Sequence, residues 1–574
     1  MAKWIQKKPM TKINSGTDLV SQLCNIKGIS NEDVTEFLEP SEKSLLPAED
    51  LKNSEEAGNR IIRAIKNGEK VVVSADNDVD GVTSTAIIIR FLQESGLEEV
   101  PYIYAERNWG HGIMEQIRIM EETDENEVRN DNARHNKKVI KESDLLIIVD
   151  SSSNDVDTVE EIISEYGTDV ILLDHHDINK SDKTMEDIGA ILVNPRQKGC
   201  RYINKNLSGS GVVYKMVGLI NEMMGGNVDT EKYIDLAGVG IYSDMMRMDE
   251  PENRYLVSQA LKNIKNMGLE RILKSAKAVN MDNMDGDTIG FTIGPLINGT
   301  ARMGNIKDAI DLLLTDDDKT VKRIRLRMHK ANEARKEIQS ELVDELTKDV
   351  DASGKMVFVI TDESSSGMNG LIAQDIAQRY QKPAFVGRLK DGFISGSGRS
   401  YGGVKLRTFF NESGLVEFAS GHEGALGVGF KESQFDLIEE HIEENMEDVG
   451  QKEKTYFYDI YLDSSEVLDS IDMIQSFNYI SGIGAPKAHV RIDNIMVEDR
   501  SVIGATKNTV KFSTMDDMEL IKFRVDEEYA KEVGIMDSIS VVGELKWNEW
   551  KKFRPVYEVI RTMQVMVNDY KVEY

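Results

Sequence analysis

The chain has only two cysteines in 574 residues, Cys24 and Cys200. They lie far apart and form neither a disulfide framework nor a thiolate metal site, which fits a reducing compartment. No apolar run approaches the length that crosses a bilayer. The opening Met1-Ala2-Lys3-Trp4-Ile5 lacks the apolar stretch of a secretion signal. The expectation is a cytoplasmic protein with no membrane association. Positive charge is also in short supply: 70 Lys and Arg against 100 Asp and Glu leave a formal net charge of −30. That argues against a protein that coats nucleic acid non-specifically, because its long-range field repels phosphate. It leaves room for a nucleic-acid enzyme, since salt confines the field to about 8 Å and a locally basic groove with metals then dominates.

What is present is ample apolar content, 40%, over a length that accommodates about three or four domains. The chain is organised around Val71-Val72-Val73-Ser74-Ala75-Asp76-Asn77-Asp78-Val79-Asp80-Gly81. An apolar strand ends in three carboxylates at alternate positions, followed by a helix-compatible segment from Val82 to Ser95 closed by Gly96. Strand, polar turn and helix form the pattern of a parallel α/β sheet, whose ligand crevice lies at the carboxyl ends of the strands. In extended backbone, Asp76, Asp78 and Asp80 share a face and repel one another. Either a divalent cation compensates them or the turn is simply solvated.

The same ending recurs. Leu145-Leu146-Ile147-Ile148-Val149 runs into Asp150-Ser151-Ser152-Ser153, and Val170-Ile171-Leu172-Leu173 into Asp174-His175-His176-Asp177. Ala190-Ile191-Leu192-Val193 runs into Asn194-Pro195-Arg196, and a helical stretch through Tyr233, Leu236, Ala237 and Ile241 delivers Asp244. One acidic strand end is ordinary, and a lone His pair is commonly structural. Three such ends with a His pair point to a metal centre. Carboxylate and imidazole without thiolate favour Mn²⁺ or Mg²⁺. Two ions about 3.5–4 Å apart activate water and clamp a phosphoryl group, so the reaction class is phosphoester or phosphoanhydride hydrolysis. Residues 121–143, dense in Glu, Asp, Asn and Lys, read as a solvated helix or insertion.

These motifs resemble the four that define the DHH phosphoesterase superfamily: Asp76-Asn77-Asp78-Val79-Asp80-Gly81, Asp150, Asp174-His175-His176 and Asp244. Asn194-Pro195, Cys200, Lys205-Asn206-Leu207-Ser208-Gly209-Ser210-Gly211 and Gly294-Pro295-Leu296-Ile297-Asn298-Gly299-Thr300-Ala301-Arg302 make the RecJ family, single-strand-specific 5′-to-3′ DNA exonucleases, the closer resemblance. It continues through Ser395-Gly396-Ser397-Gly398-Arg399-Ser400 and Gly421-His422-Glu423-Gly424-Ala425. Three positions depart from the family pattern: Asn77 stands for an aromatic residue, Ser151 for Asn or His, and Leu296 for an Arg that contacts phosphate.

The resemblance implies an α/β protein: a two-lobed DHH and DHH-associated core joined by a long helix, with a C-terminal β-barrel of the OB type. Its expected parts are an N-terminal helical segment (1–66), the catalytic lobe (67–316), a connecting basic helix (317–349), a substrate-binding lobe (350–452) and the OB-fold (453–574). It implies Asp78, Asp80, Asp150, His175 and Asp244 as ligands of two Mn²⁺ or Mg²⁺ ions, with Asp150 bridging. Asp76 and His176 lie beside the metals, His176 as donor to the scissile phosphate or leaving oxygen, and Asp174 orients a His ring. Arg107, Arg302, Ser397, Arg399, Gly421 and His422 resemble the family's pocket for a 5′-terminal phosphate, with Gly396, Gly398 and Gly421 admitting close backbone approach. The crowd of Lys and Arg between Lys319 and Lys336 is either a solvated face or a floor for a single strand. Single-stranded DNA is the expected partner, the chain is expected to be a monomer, and its acidic surface hints at a recruiting protein such as single-strand-binding protein. The rivals are an oligonucleotide or cyclic-dinucleotide phosphodiesterase of the same superfamily and an inactive DHH scaffold.

Overall fold

Among the described residues of the computed structural model, strands assemble into four sheets. The structure describes residues 2–8, 16–30, 33–276, 279–348, 350–361, 367–449, 454–504, 507–525, 527–552 and 558–573. The first sheet is wholly parallel, in the order Tyr102–Tyr104, Val71–Ala75, Leu145–Val149, Asp169–Leu173, Ile191–Val193. Its central strands are continuous apolar runs because both faces are covered. Val71, Val73, Ile147 and Val149 pack toward the helices Val79–Glu94, Gly209–Met223 and Ile234–Ser243, while Val72, Leu146 and Ile148 pack toward Ile113, Ile140 and Val159. Parallel strands necessarily end on one rim, so every acidic strand end arrives there.

The 121–143 segment forms a helix, Glu127–Lys141, whose Asn130, Ala133, Asn136 and Ile140 are buried. It is therefore a covering helix with one solvated face. The N-terminal segment holds helices Gly16–Lys27 and Ser54–Asn67, and also a strand the polar sequence does not announce, Lys3–Gln6, paired in parallel with Thr455–Tyr458. Ser30 Oγ accepts from Asp33 N at 3.3 Å ahead of the helix Val34–Leu38.

Helix Asp318–Leu346 runs from the first sheet's lobe to a second sheet, ordered Phe418–His422, Ala425–Lys431, Phe393–Arg399, Ala384–Lys390, Val357–Thr361. Only the last pair is parallel. Helix Asn369–Tyr380 covers this sheet, with Ile372, Ala373 and Ile376 buried against Val357 and Val386. The C-terminal region closes on itself. Val490–Ile503 pairs with both Thr509–Thr514 and Ser538–Lys552, and Met518–Phe523 joins the ring through Glu558–Glu573. That closure removes free edges and makes a barrel. No helix among the described residues is long and apolar enough to cross a membrane.

The turn Gly482–Pro486 docks on the catalytic lobe: Met248 N donates to Ile483 O at 2.7 Å. Arg254, fully buried, donates to the carbonyls of Phe37 and Ile480 and lies 3.6 Å from the Phe37 ring centroid. One cation thus joins the N-terminal segment, the catalytic lobe and the approach to the barrel.

Candidate active site

Asp78 ends the first strand's turn and caps the following helix, accepting from Gly81 N at 3.1 Å. Only glycine fits at 81, since a Cβ there would lie 2.6 Å from Asp76 Cβ. Asp80, one residue into the helix, is buried and accepts from Ser208 Oγ (2.9 Å), Gly209 N (2.7 Å) and Ser210 N (3.1 Å). The start of helix Gly209–Met223 therefore clamps Asp80 through donors suited to a carboxylate. Asp150 has φ +58 and Ser152 +74, a left-handed turn that Asp tolerates. Its carboxylate comes so near Gly209 that a Cβ there would sit 2.4 Å from Asp150 Oδ1.

His175 Nε2 stands 3.2 Å from Asp150 Oδ1, 3.4 Å from Asp244 Oδ2 and 3.9 Å from Asp80 Oδ2. Yet Asp150 Oδ1, Asp244 Oδ2 and both His175 ring nitrogens are buried without a hydrogen-bond partner. Buried ligand atoms converging without hydrogen bonds among them are costly, and a cation at their centre is what this donor set fits. Three groups bring ligand atoms within 4.8 Å of one another: Asp76, Asp78 and Asp150; Asp80, His175 and Asp244; and Asp150, Asp174, His175 and His176. Asp76, expected beside the metals, thus shares a ligand group with Asp78 and Asp150. Asp150 belongs to two of the groups and touches the third through His175.

Electrostatics report the same crowding. Burial, reinforced by Asp80, Asp78 and Asp244, pushes the Asp150 carboxyl well above its usual range. Burial, with Asp80 and Asp78, does the same for Asp244. Burial carries Asp76 up to about 6, with Asp78 adding and His111 opposing. Burial and His176 hold His175 low, toward the neutral ring a ligand needs. Asp174 differs in being fully used: Oδ1 accepts from His175 N at 2.7 Å and pairs with His176 Nδ1 at 2.8 Å, while Oδ2 accepts from Ser153 N at 3.0 Å. Against the penalty of burial, His176 holds Asp174 far below the carboxylate range, and Asp174 lifts His176 to about 10. The His176 side chain stays 44% exposed, so its Nε2 is free to face a substrate.

A second cluster has the opposite sign. Burial lowers Arg302 to about 9, with Arg107, Arg335 and Arg399 adding repulsion and Asp78 opposing. Arg302 donates to Gly367 O at 2.5 Å, Arg107 to Asn77 O at 3.0 Å and Arg399 to Gly398 O at 2.8 Å. Each guanidinium here leans on a neutral carbonyl. A Cβ at Gly370 would lie 2.4 Å from Arg399 Nη2, so this arginine sits against the first turn of helix Asn369–Tyr380. Beyond them a cavity of about 1190 Å³ opens between the connecting helix, that helix and the barrel, with Arg335, Lys336, Arg379, Lys454, Lys522 and Arg524 on its walls.

Two profile matches fall on these elements: "DHH family, N-terminal domain" over residues 70–241 and "RecJ OB domain" over 458–562. The chain thus carries a region similar to the DHH family's N-terminal domain and one similar to the RecJ OB domain. It is 26% identical to the single-stranded-DNA-specific exonuclease RecJ of Bacillus subtilis, over 96% of this chain and 69% of that protein. It is 26% identical to the putative SPbeta prophage-derived single-strand DNA-specific exonuclease YorK of B. subtilis, over 95% of this chain and 97% of that one. In fold it matches Thermus thermophilus RecJ in complex with Mn²⁺ at TM-score 0.74 and 20% identity, covering 99% of this chain and 79% of that one. A structure of exonuclease RecJ bound to manganese matches at TM-score 0.54 and 25% identity, over 71% and 97%.

The structure does not gather every expected residue. Ser397 lies inside the second sheet, opposite Val386 and Gly427. His422 and Arg399 both oppose Ala425 from neighbouring strands, but the His422 side chain makes no hydrogen bond or ion pair among the described residues. The glycines have a more local reason than phosphate approach: a Cβ at Gly396 would lie 2.2 Å from Val386 O, and Gly421 has φ +111 with Ala425 O 2.8 Å from its Cβ position. Leu296 is buried. Asn77 donates to Gly110 O at 2.6 Å, and so fastens loop 107–112 to the acidic turn. Sequence reasoning missed Arg335 and His111 as site residues. Arg335 was one cation among eight on a helix. His111, 6.1 Å from the His176 ring centroid, stands outside every motif, between two glycines.

Proposed function

We propose that this chain is a single-strand-specific 5′-to-3′ DNA exonuclease that hydrolyses phosphodiesters and releases 5′-mononucleotides. The observation that carries the reading is the set of buried, unpartnered ligand atoms on Asp150, Asp244 and His175, at the strand-end rim of a RecJ-like fold. Asp78, Asp80, Asp150, His175 and Asp244 would hold two Mn²⁺ or Mg²⁺ ions, with Asp76 alongside Asp78 and Asp150. Such ions, when bound, activate water and neutralise the phosphoryl oxygens.

The chain's own groups do the rest. Asp80 is oriented by Ser208, Gly209 and Ser210. Asp174 fixes the His176 ring through Nδ1, leaving Nε2 to donate to the scissile phosphate or the leaving oxygen. Arg107, Arg302 and Arg399 meet the 5′-terminal phosphate, with Ser397, Gly421 and His422 as outer members of that pocket. The basic cavity beside Arg335 and Lys336 leads the strand in from the barrel, and its local charge prevails over the −30 of the whole.

Purified chain with Mn²⁺ and a 5′-labelled long oligonucleotide should release labelled mononucleotide from single strands. Cutting confined to short substrates would favour the oligonucleotide phosphodiesterase reading, and no cutting an inactive scaffold. We also expect a monomer recruited through its acidic surface; a pull-down with single-strand-binding protein tests the partner.

A further inference from the structure

We propose that the cleft beside Asp244 is a nucleobase-binding subsite in which Phe291 stacks on a base close to the 5′ end of the strand. The inference rests on the exonuclease reading and adds to it where a base, as distinct from a phosphate, is held.

Phe291 is 77% exposed and Met245, next to Asp244, is 61% exposed. A single exposed apolar residue needs no account. These two, however, line one cleft of about 620 Å³ with Tyr242, Ser243, Pro295 and Asn298, a volume in the roughly 300–1,000 Å³ range of small-ligand sites. Phe291 stands on a single widened helical turn, Ile289–Ile293, a feature frequent at functional sites. Met245 has φ +56, a backbone conformation disfavoured for an unbranched, bulky side chain.

The opposite wall is the turn before the barrel, Ser481, Gly482, Pro486 and Lys487. The two walls are tied together, since Tyr242 Oη donates to Ser481 O at 2.9 Å and Gly286 N to Tyr479 O at 3.0 Å. Lys487 is neutralised by Asp287 and Glu544 at 2.6 and 2.7 Å, so this part of the cleft carries no free cation for phosphate.

Polar chemistry identifies the occupant. Ser243 Oγ and Asn298 Oδ1 are buried without hydrogen-bond partners, and both residues line the cleft. A phosphate offers only acceptors and leaves an amide oxygen unsatisfied. A base edge offers N–H groups and acceptors side by side, as the Asn amide and Ser hydroxyl do. Asp244 stands in the chain between the lining residues Ser243 and Met245, and Arg302 and Arg335 also line the cleft; neither arginine is ion-paired among the described residues. An aromatic face sharing one cleft with cations, beside a metal-ligand carboxylate, matches the needs of a base and the phosphates that flank it. Stacking of this kind is worth 5- to 150-fold per base and accepts any sequence.

The test is a coupling measurement with full-length chain, Mn²⁺ and 5′-phosphorylated oligonucleotides carrying one abasic nucleotide at positions 1 to 5 or at position 10. With wild type, an abasic site at one of the first three positions should lower kcat/KM about tenfold, and one at position 10 should not. Phe291→Ala should lower kcat/KM on intact DNA by a similar factor and abolish the abasic effect. Phe291→Trp should restore both, and Mn²⁺ uptake by calorimetry should be unchanged in both variants. Independent, multiplying losses from Phe291→Ala and the abasic site, or no loss in Phe291→Ala, would overturn the subsite while leaving the exonuclease reading intact. No turnover of intact DNA by wild type would bring down both.

Discussion

The acidic rim and the arginine cluster form an instructive pair. Both gather like charges in desolvated positions, one at the strand ends of the first sheet and one between the two lobes. Asp76, Asp150 and Asp244 are pushed up by burial and mutual repulsion; Arg302 is pushed down by burial and its arginine neighbours. Neither cluster neutralises the other: Asp78 is the carboxylate that acts on Arg302, and only as a minor influence. The carboxylates form a donor set that fits cations, and on the proposed reading the arginines await a phosphate. Asp174 and His176 show the contrast within the rim itself, because there opposite charges meet at 2.8 Å and each is held firmly in its ionised form.

Breaking the acidic side should have the largest effect. Asp150→Ala removes the carboxylate common to two ligand groups and should abolish hydrolysis while single-stranded DNA still binds in a gel-shift assay; turnover in this variant would refute the metal assignment. Asp174→Asn keeps the shape but loses the charge that orients His176, and should cost on the order of 10–100-fold in kcat, with Mn²⁺ affinity by calorimetry little changed.

On the basic side, Arg399→Ala should raise KM for 5′-phosphorylated ends about tenfold, the worth of a charge-assisted hydrogen bond. Equal loss on 5′-hydroxyl ends would count against an end pocket. The smallest effect sharpens the comparison through pH. A carboxyl raised in the folded chain binds its proton more tightly there than when unfolded. Its stabilisation of the ion-free chain is full below about pH 4 and fades as pH rises through the raised value, about 6 for Asp76. Bound ions relieve the repulsion that remains. The Tm gap between Mn²⁺-loaded and EDTA-treated chain should therefore widen by a few degrees from pH 5 to pH 8; a gap independent of pH would mean the rim is not crowded as described.

Much of this was legible in the residues. Alternating burial of Val71, Val72 and Val73 on two sheet faces follows from an apolar run bounded by Lys70 and Asp76, and the acidic strand ends must share a rim because the strands are parallel. The barrel was expected from the family resemblance, and two of its strands, Ser538–Lys552 and Glu558–Glu573, are far longer than an ordinary strand of about five or six residues. Strand Lys3–Gln6 was not legible, because a four-residue strand takes its identity from the edge it joins, 449 residues beyond its end at Thr455.

The sequence by itself determined which residues carry charge at the ends of apolar strands, and with them the chemistry of carboxylate and imidazole. Local periodicity and like-charge repulsion are properties of neighbours along the chain. Only the tertiary structure decided which of those groups retain free lone pairs, that Asp174 is committed to His176, that four arginines from three separate regions repel one another, and that Phe291 faces a cleft. Those outcomes depend on desolvation and on distances between residues far apart in the chain.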